Sequence, residues 1–150
     1  MNAHRWIVLG VFLSGIAMTV APAGASCPRP PALEERFAST PTVFVGRAIA
    51  QQVVPWPGRP AGTRATETTF HVEELWKGRP TATLRILNCG WQDVDETATC
   101  SDFQFVVGSR YVVFAAGDPP ETNECLPTGL VDRAEATLQW LAGKPHKKVG

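Results

Sequence analysis

Two residues of this chain have the types and spacing for proton or metal chemistry. His71 and Glu73 lie two positions apart, on one face if the backbone is extended. An imidazole beside a carboxylate can hold a metal or act as base and acid. A lone pair of this kind on a strand face is read as solvated, and the remaining histidine beyond position 25, His146, falls near the end of the chain. Asp93, Asp95, Glu96 and Asp102 form an acidic cluster. Asp93-Val94-Asp95 has the opening of a calcium loop, but the glycine and the terminal glutamate at loop spacing are missing, so a solvated loop is expected. Ser101 and Ser109 lack a Gly-x-Ser-x-Gly setting, and no glycine-rich phosphate loop occurs. These residues predict no catalytic site, no metal site and no cofactor.

The four cysteines are Cys27, Cys89, Cys100 and Cys125. No Cys-x-x-Cys occurs, which argues against a thioredoxin-like redox site or a zinc ribbon. Their chemistry depends on the compartment. Residues 1–25 read as a signal peptide: a short basic start, an apolar stretch over 6–20, and the small-x-small site Ala23-Gly24-Ala25. Cleavage there leaves 125 of the 150 residues, enough for one domain over 26–143 with a single core. An exported chain meets an oxidising environment, so an even number of cysteines predicts structural disulfides. Three pairings are possible and spacing alone does not choose among them. The expected location is secreted or periplasmic, with lipid anchoring through Cys27 as an alternative.

Charge narrows the partners. The full chain has 14 basic and 14 acidic residues, and Arg5 is the one charged residue ahead of position 26. The exported chain is therefore one unit negative. That argues against a nucleic-acid surface, which needs a surplus of Lys and Arg. It argues equally against binding to anionic lipid. Beyond the signal peptide no stretch is long and apolar enough for a membrane span.

The elements that would position these residues follow from periodicity. Three prolines between positions 28 and 31 keep the start extended. Residues 32–39 can form two helical turns. Residues 42–54 read as a strand, with Val43, Val45 and Ile49 at alternate positions. Pro55, Pro57 and Pro60 break it into an exposed loop. Residues 64–76 form a second strand, with Thr66, Thr68, Phe70 and Val72 on one face and Glu67, Thr69, His71 and Glu73 on the other. A third strand is expected over 81–87 and a polar loop over 88–102. Phe103, Phe105 and Val107 are expected to point inward. The apolar run 110–116 reads as a central fourth strand. A short fifth is expected at 123–127. Asp132, with Glu135 three residues on, predicts a capped helix over 133–142 ended by Gly143. Residues 144–150 are expected to form a flexible tail. Five short strands and terminal helices predict a mainly β protein built as a small antiparallel barrel.

The tryptophans suggest where a partner could bind. Trp76 and Trp140 are expected in the core, and Trp91, just after Cys89-Gly90, is expected to shield a disulfide. Trp56 sits between prolines in a loop, where a rigid aromatic makes a contact residue of low entropy cost. The alternative is that Trp56 folds back over the barrel.

Several blocks, in order, resemble a known pattern: Cys27-Pro28-Arg29-Pro30-Pro31, Val43-Phe44-Val45-Gly46-Arg47, Phe70-His71-Val72-Glu73-Glu74-Leu75-Trp76-Lys77-Gly78, Gly108-Ser109-Arg110-Tyr111-Val112-Val113-Phe114, then Cys125 and a helix. The chain resembles the N-terminal domain of tissue inhibitors of metalloproteinases (TIMPs) and their bacterial, single-domain netrin-like relatives, over most of 26–141. The resemblance implies an OB-like five-stranded barrel with a short N-terminal and a C-terminal helix, stapled by disulfides. In those inhibitors the mature chain begins Cys-x-Cys. The first cysteine's α-amine and carbonyl chelate the protease zinc, occupying its open coordination position. Here the alignment puts Cys27 at the second cysteine and Ala25 at the first. Cys100 matches the loop cysteine that then lacks its partner, and Cys89 can supply one. The implied pairs are Cys27–Cys125 and Cys89–Cys100, which in a chain-entropy account contribute roughly 4–5 and roughly 3 kcal/mol. Cleavage after Ser26 would instead expose Cys27 as the first residue, with Pro28 where the inhibitors carry a small polar residue.

The function this implies is an exported, non-catalytic protein-binding module, with Ser26, Cys27, Pro28, Trp56 and Trp91 as candidate contact residues. A first alternative is a metalloproteinase inhibitor acting through its N-terminus on the protease zinc. A second is a membrane-anchored lipoprotein carrying the same domain. A third is an enzyme or metal protein centred on His71 and Glu73.

Overall fold

The computed structural model describes residues 32–89, 104–123 and 125–149. The expected signal peptide, Ser26, Cys27, Pro28, the acidic cluster, Trp91, Cys100, Ser101 and Phe103 lie outside the described residues. The described chain runs α1 (Leu33–Ser39), β1 (Thr42–Pro55), β2 (Arg64–Lys77), β3 (Thr83–Cys89), β4 (Arg110–Ala115), β5 (Gly129–Leu130), a 3-10 turn (Val131–Arg133), α2 (Glu135–Ala142) and β6 (Lys147–Lys148). The protein is mainly β, and its six strands form one antiparallel sheet in the order β3-β2-β1-β4-β5, with β6 also paired to β2. No helix among the described residues is long and apolar enough to cross a membrane.

Strand β1 is the hub, because it pairs with β2 from Val43 to Pro55 and with β4 over Thr42 to Arg47. Both faces of the sheet are covered over Val43 to Val45. Phe44, Ala48, Phe70, Val72, Ile86, Phe105, Tyr111 and Val113 fill one side. Phe70 is its centre, edge-to-face with Phe44 at 5.4 Å, Phe105 at 4.8 Å and Tyr111 at 6.2 Å. On the other side Val43, Val45, Val112 and Phe114 pack against Leu33 and Phe37 of α1 and Leu138, Trp140 and Leu141 of α2. Burial on two faces explains the unbroken apolar run of β4, whose residues from Tyr111 to Ala115 are all buried. The face assignment along β2 also holds: Thr68, Phe70 and Val72 are fully buried, while His71 is exposed.

Bulges change the reading of β1. The register with β2 shifts between Val43 and Phe44, between Val45 and Gly46, and again between Ala48 and Ala50. A bulge breaks the two-residue alternation, so Val43 and Val45 are buried but Ile49 is 46 % exposed. Gly46 sits at the second shift, where a Cβ would lie 2.6 Å from the His71 carbonyl oxygen. Only glycine lets the two backbones approach this closely. Val107 also faces outward, at 50 % exposure, whereas Phe105 is buried as expected.

The expected barrel is not closed. Strands β3 and β5 share no ladder. Among the described residues a single crossing point joins β3 to the end of β4: Glu121 bridges Leu87 of β3 in parallel and Ala116, just past β4, antiparallel. Four hydrogen bonds carry it. Leu87 N–H donates to Pro120 (2.9 Å), Thr122 N–H to Leu87 (2.9 Å), and Ala116 and Glu121 exchange theirs (2.9 and 2.7 Å). The ladder cannot extend backwards, because Pro119 and Pro120 have no N–H. Nor does it extend forwards, because Asn123 starts a turn. Its Oδ1 accepts from Cys125 N–H and its carbonyl from Leu126 N–H. That turn also replaces the strand expected at 123–127, and β5 forms later, at Gly129–Leu130.

Two expectations change at the C-terminal end. The capping box at Asp132 does not form, since Val131–Arg133 is a 3-10 turn and α2 starts at Glu135 without a side-chain cap. The segment expected to be a flexible tail instead lies along β2: Lys147 and Lys148 pair with Leu75 and Glu74. Val149 N–H donates to the Glu73 carbonyl, and the Val149 side chain packs on the core. A single apolar residue among lysines carries too weak a periodic signal to be read in advance.

Candidate functional site

The loop over residues 56–63 joins β1 to β2 and is closed by its own backbone. Trp56 N–H donates to the Thr63 carbonyl at 2.9 Å, and Thr63 N–H to Pro60 at 3.1 Å. Trp56 is half-buried, and it is anchored: its Nε1 donates to Glu121 Oε1 at 2.8 Å. The Arg59 guanidinium lies 5.1 Å from the ring centre, on its face. The rigid aromatic expected at the loop is therefore present, but it leans back onto the Glu121 bridge. Its inner edge is anchored, and its face is paired with an arginine.

This anchoring joins two proline-bearing segments, 55–57 and 118–120, over the outer face of β2 and β3. They form the walls of an open groove of about 620 Å³, floored by Glu67, Thr69, Arg85 and Leu87. Glu67 accepts from Gln52 Nε2 at 2.7 Å and has Arg85 at 3.8 Å. The Arg85 side chain is 72 % exposed, so most of its hydrogen-bonding capacity faces solvent.

The other candidates do not converge here. The Glu73 carboxylate is engaged by Arg110, whose Nε and Nη2 both donate to Oε2, with Nε at 2.8 Å. That hydrogen bond, reinforced by the charges of Glu73, Glu74 and Asp132, holds the Arg110 guanidinium above its ordinary value, against a smaller opposing effect of burial. His71 is exposed and opposite Arg47. The His71–Glu73 spacing thus yields an ion pair on β2 beside a solvated imidazole. Among the described residues no group of three or more His, Cys, Asp or Glu is placed to hold a metal. Cys89 and Cys125 are each disulfide-bonded; the implied partners, Cys100 and Cys27, lie outside the described residues.

Trp76 and Trp140 are partly buried against the helix-side core. Trp76 Nε1 donates to the Leu141 carbonyl at 2.9 Å. Trp140 meets Phe37 edge-on at 5.3 Å. Sequence reasoning missed Glu121 and Arg59. Glu121 is 65 positions from Trp56, and no local pattern marks so distant a partner. Arg59 could have been noted, since Trp56 and Arg59 are three apart in one short loop.

Fold and groove together define a small mainly β protein with an open antiparallel sheet. No protein-family model matches the chain, and no curated protein matches it.

Proposed function

We propose that this chain is an exported, non-catalytic protein-binding module of the netrin and TIMP-like type. Its contact surface is the sheet end that carries the 56–63 loop and the Glu121 bridge. The observation that carries the proposal is the Trp56–Arg59 pair, fixed in place by the Glu121 carboxylate. Tryptophan and arginine are the residue types that most often dominate binding energy, and an anchored side chain loses little entropy on contact.

The connectivity is compatible with the OB-like fold that this proposal carries. An OB-like barrel is a five-stranded, partly open Greek key. Here β1 pairs with both β2 and β4, Glu121 runs parallel to β3, and both helices pack on one face. The disulfide pairs proposed with it are Cys27–Cys125 and Cys89–Cys100. Partial reduction and peptide mapping test them, and a Cys27–Cys100 peptide overturns the assignment.

The function is tested with the exported chain immobilised beside a Trp56→Ala/Arg59→Ala variant, and with a panel of zinc metalloproteinases assayed for inhibition. A protein that binds the wild-type chain in purified form and loses affinity for the variant supports the reading. Purified partners that bind both forms equally, or turnover of a substrate by the purified chain, overturn it.

A further inference from the structure

We infer that the groove beside β3 takes an extended peptide segment of the partner, which adds as a strand to the open edge of β3 at Thr83 and Arg85. The inference rests on the binding-module reading and names the chemistry of what is bound.

Which backbone groups face the groove follows from Leu87. Its N–H donates to Pro120 and its carbonyl accepts from Thr122, so both point away from β2. Alternate residues of a strand present the same edge. Thr83 and Arg85 therefore direct their N–H and carbonyl groups to that edge too. The Thr83 carbonyl accepts from Thr81 Oγ1 at 3.1 Å. The two N–H groups and the Arg85 carbonyl have no strand partner among the described residues, because β3 pairs only with β2 and, at Leu87, with Glu121. An unpaired strand edge is a template for another chain.

Three features favour an extended peptide as the occupant. The edge already accepts a strand, since residues 120–122 pair with it at Leu87, and an incoming peptide continues that pairing. Thr83, Leu84 and Arg85 line the same groove as Asp118, Pro119 and Pro120, so the edge of β3 borders its side-chain space. Finally, the cleft carries charges of both signs, with the exposed Arg85 beside Glu67 and Asp118 also in its lining, which suits a peptide carrying both an acidic and a basic side chain. Main-chain pairing would provide affinity, and the floor around Glu67, Thr69 and Arg85 would select side chains.

The test uses the full exported chain with its disulfides formed. Linear peptides are selected from a random phage-displayed library, and the best is measured by titration calorimetry. Its backbone amides are then N-methylated one at a time. Strand addition predicts an alternating pattern, with sensitive amides every second residue. In the protein, Arg85→Pro deletes an outward N–H without touching the β2–β3 ladder, a position where an edge strand tolerates proline. It should weaken binding by at least about tenfold, because the guanidinium is lost together with one main-chain hydrogen bond at the upper end of its usual range. Thr83→Pro is the second variant, at the first residue of the strand. Recovery of no peptide, an N-methyl scan without alternation, or wild-type affinity in both proline variants overturns the inference. A folded partner that depends on Trp56 and Arg59 but binds Arg85→Pro normally sinks the strand addition while leaving the module reading intact. Peptides that follow the alternation while no protein depends on Trp56 and Arg59 do the reverse.

Discussion

Trp56→Phe and Glu121→Ala, made singly and together, isolate the bond that holds the candidate contact surface. Phenylalanine keeps an aromatic body and removes the indole N–H. Alanine removes the carboxylate but leaves the Glu121 main-chain bridge to Leu87 and Ala116 in place. A hydrogen bond to a charged group contributes about 1.5–3 kcal/mol when buried. This one is 2.8 Å long but only partly buried, which lowers the expected coupling to about 1 kcal/mol. The double-mutant cycle reports that term alone, because losses of apolar area in each single variant cancel. Urea denaturation with the disulfides intact is the assay, and each single variant should lower the urea midpoint by about 0.5 M or more. Single-variant losses that simply add, with coupling below about 0.3 kcal/mol, would show that the bond does not fix the loop. Trp56 would then be a free loop side chain, and the argument for a preformed contact would fail.

Other perturbations probe the scaffold. Gly46→Ala pushes a Cβ to 2.6 Å from the His71 carbonyl and 3.1 Å from the Phe44 ring; it should cost about 2 kcal/mol and lower the urea midpoint by about 1 M. An unchanged midpoint would mean the strands separate without penalty. Ending the chain at Lys144 removes β6 and Val149 from the core, and should destabilise by about 1–2 kcal/mol, read as an earlier thermal transition. Glu73→Gln should cost about 0.5–1 kcal/mol, because the ion pair is partly exposed. The Glu73 bond raises the folded-state value of Arg110, so its contribution is complete below the ordinary guanidinium value and is lost only as pH rises through the higher one. The wild-type-minus-variant difference should therefore be the same at pH about 7 and about 10; a difference that halves over that interval contradicts the assignment.

The strands were legible because β2 and β4 carry strong, opposite patterns. Alternation along β2 follows from one wet face. The continuous apolar run of β4 follows from burial on two. Where a local rule was overruled, the cause lay elsewhere in the chain. Ile49 faces outward because bulges opposite β2 shift the register, which residue types in β1 do not encode. The barrel stays open because of Pro119 and Pro120, whose lack of N–H could have been read from the sequence had the closing segment been placed there instead of at 123–127. At the candidate site Trp56 was legible as a constrained aromatic. Glu121, the groove and the open edge of β3 were not, since each depends on segments brought together from distant parts of the chain.

Strand β1 also divides the molecule dynamically. Over Val43 to Arg47 it is paired on both sides, and from Val43 to Gly46 it is buried. Beyond Ala50 its described ladder is with β2 alone, and Val53 is 57 % exposed. Amide hydrogen exchange along this one strand should therefore run from opening by global unfolding at its start to opening by local fraying at its end. The hairpin tip that carries Trp56 can then adjust to a partner while the first half of the same strand holds the fold.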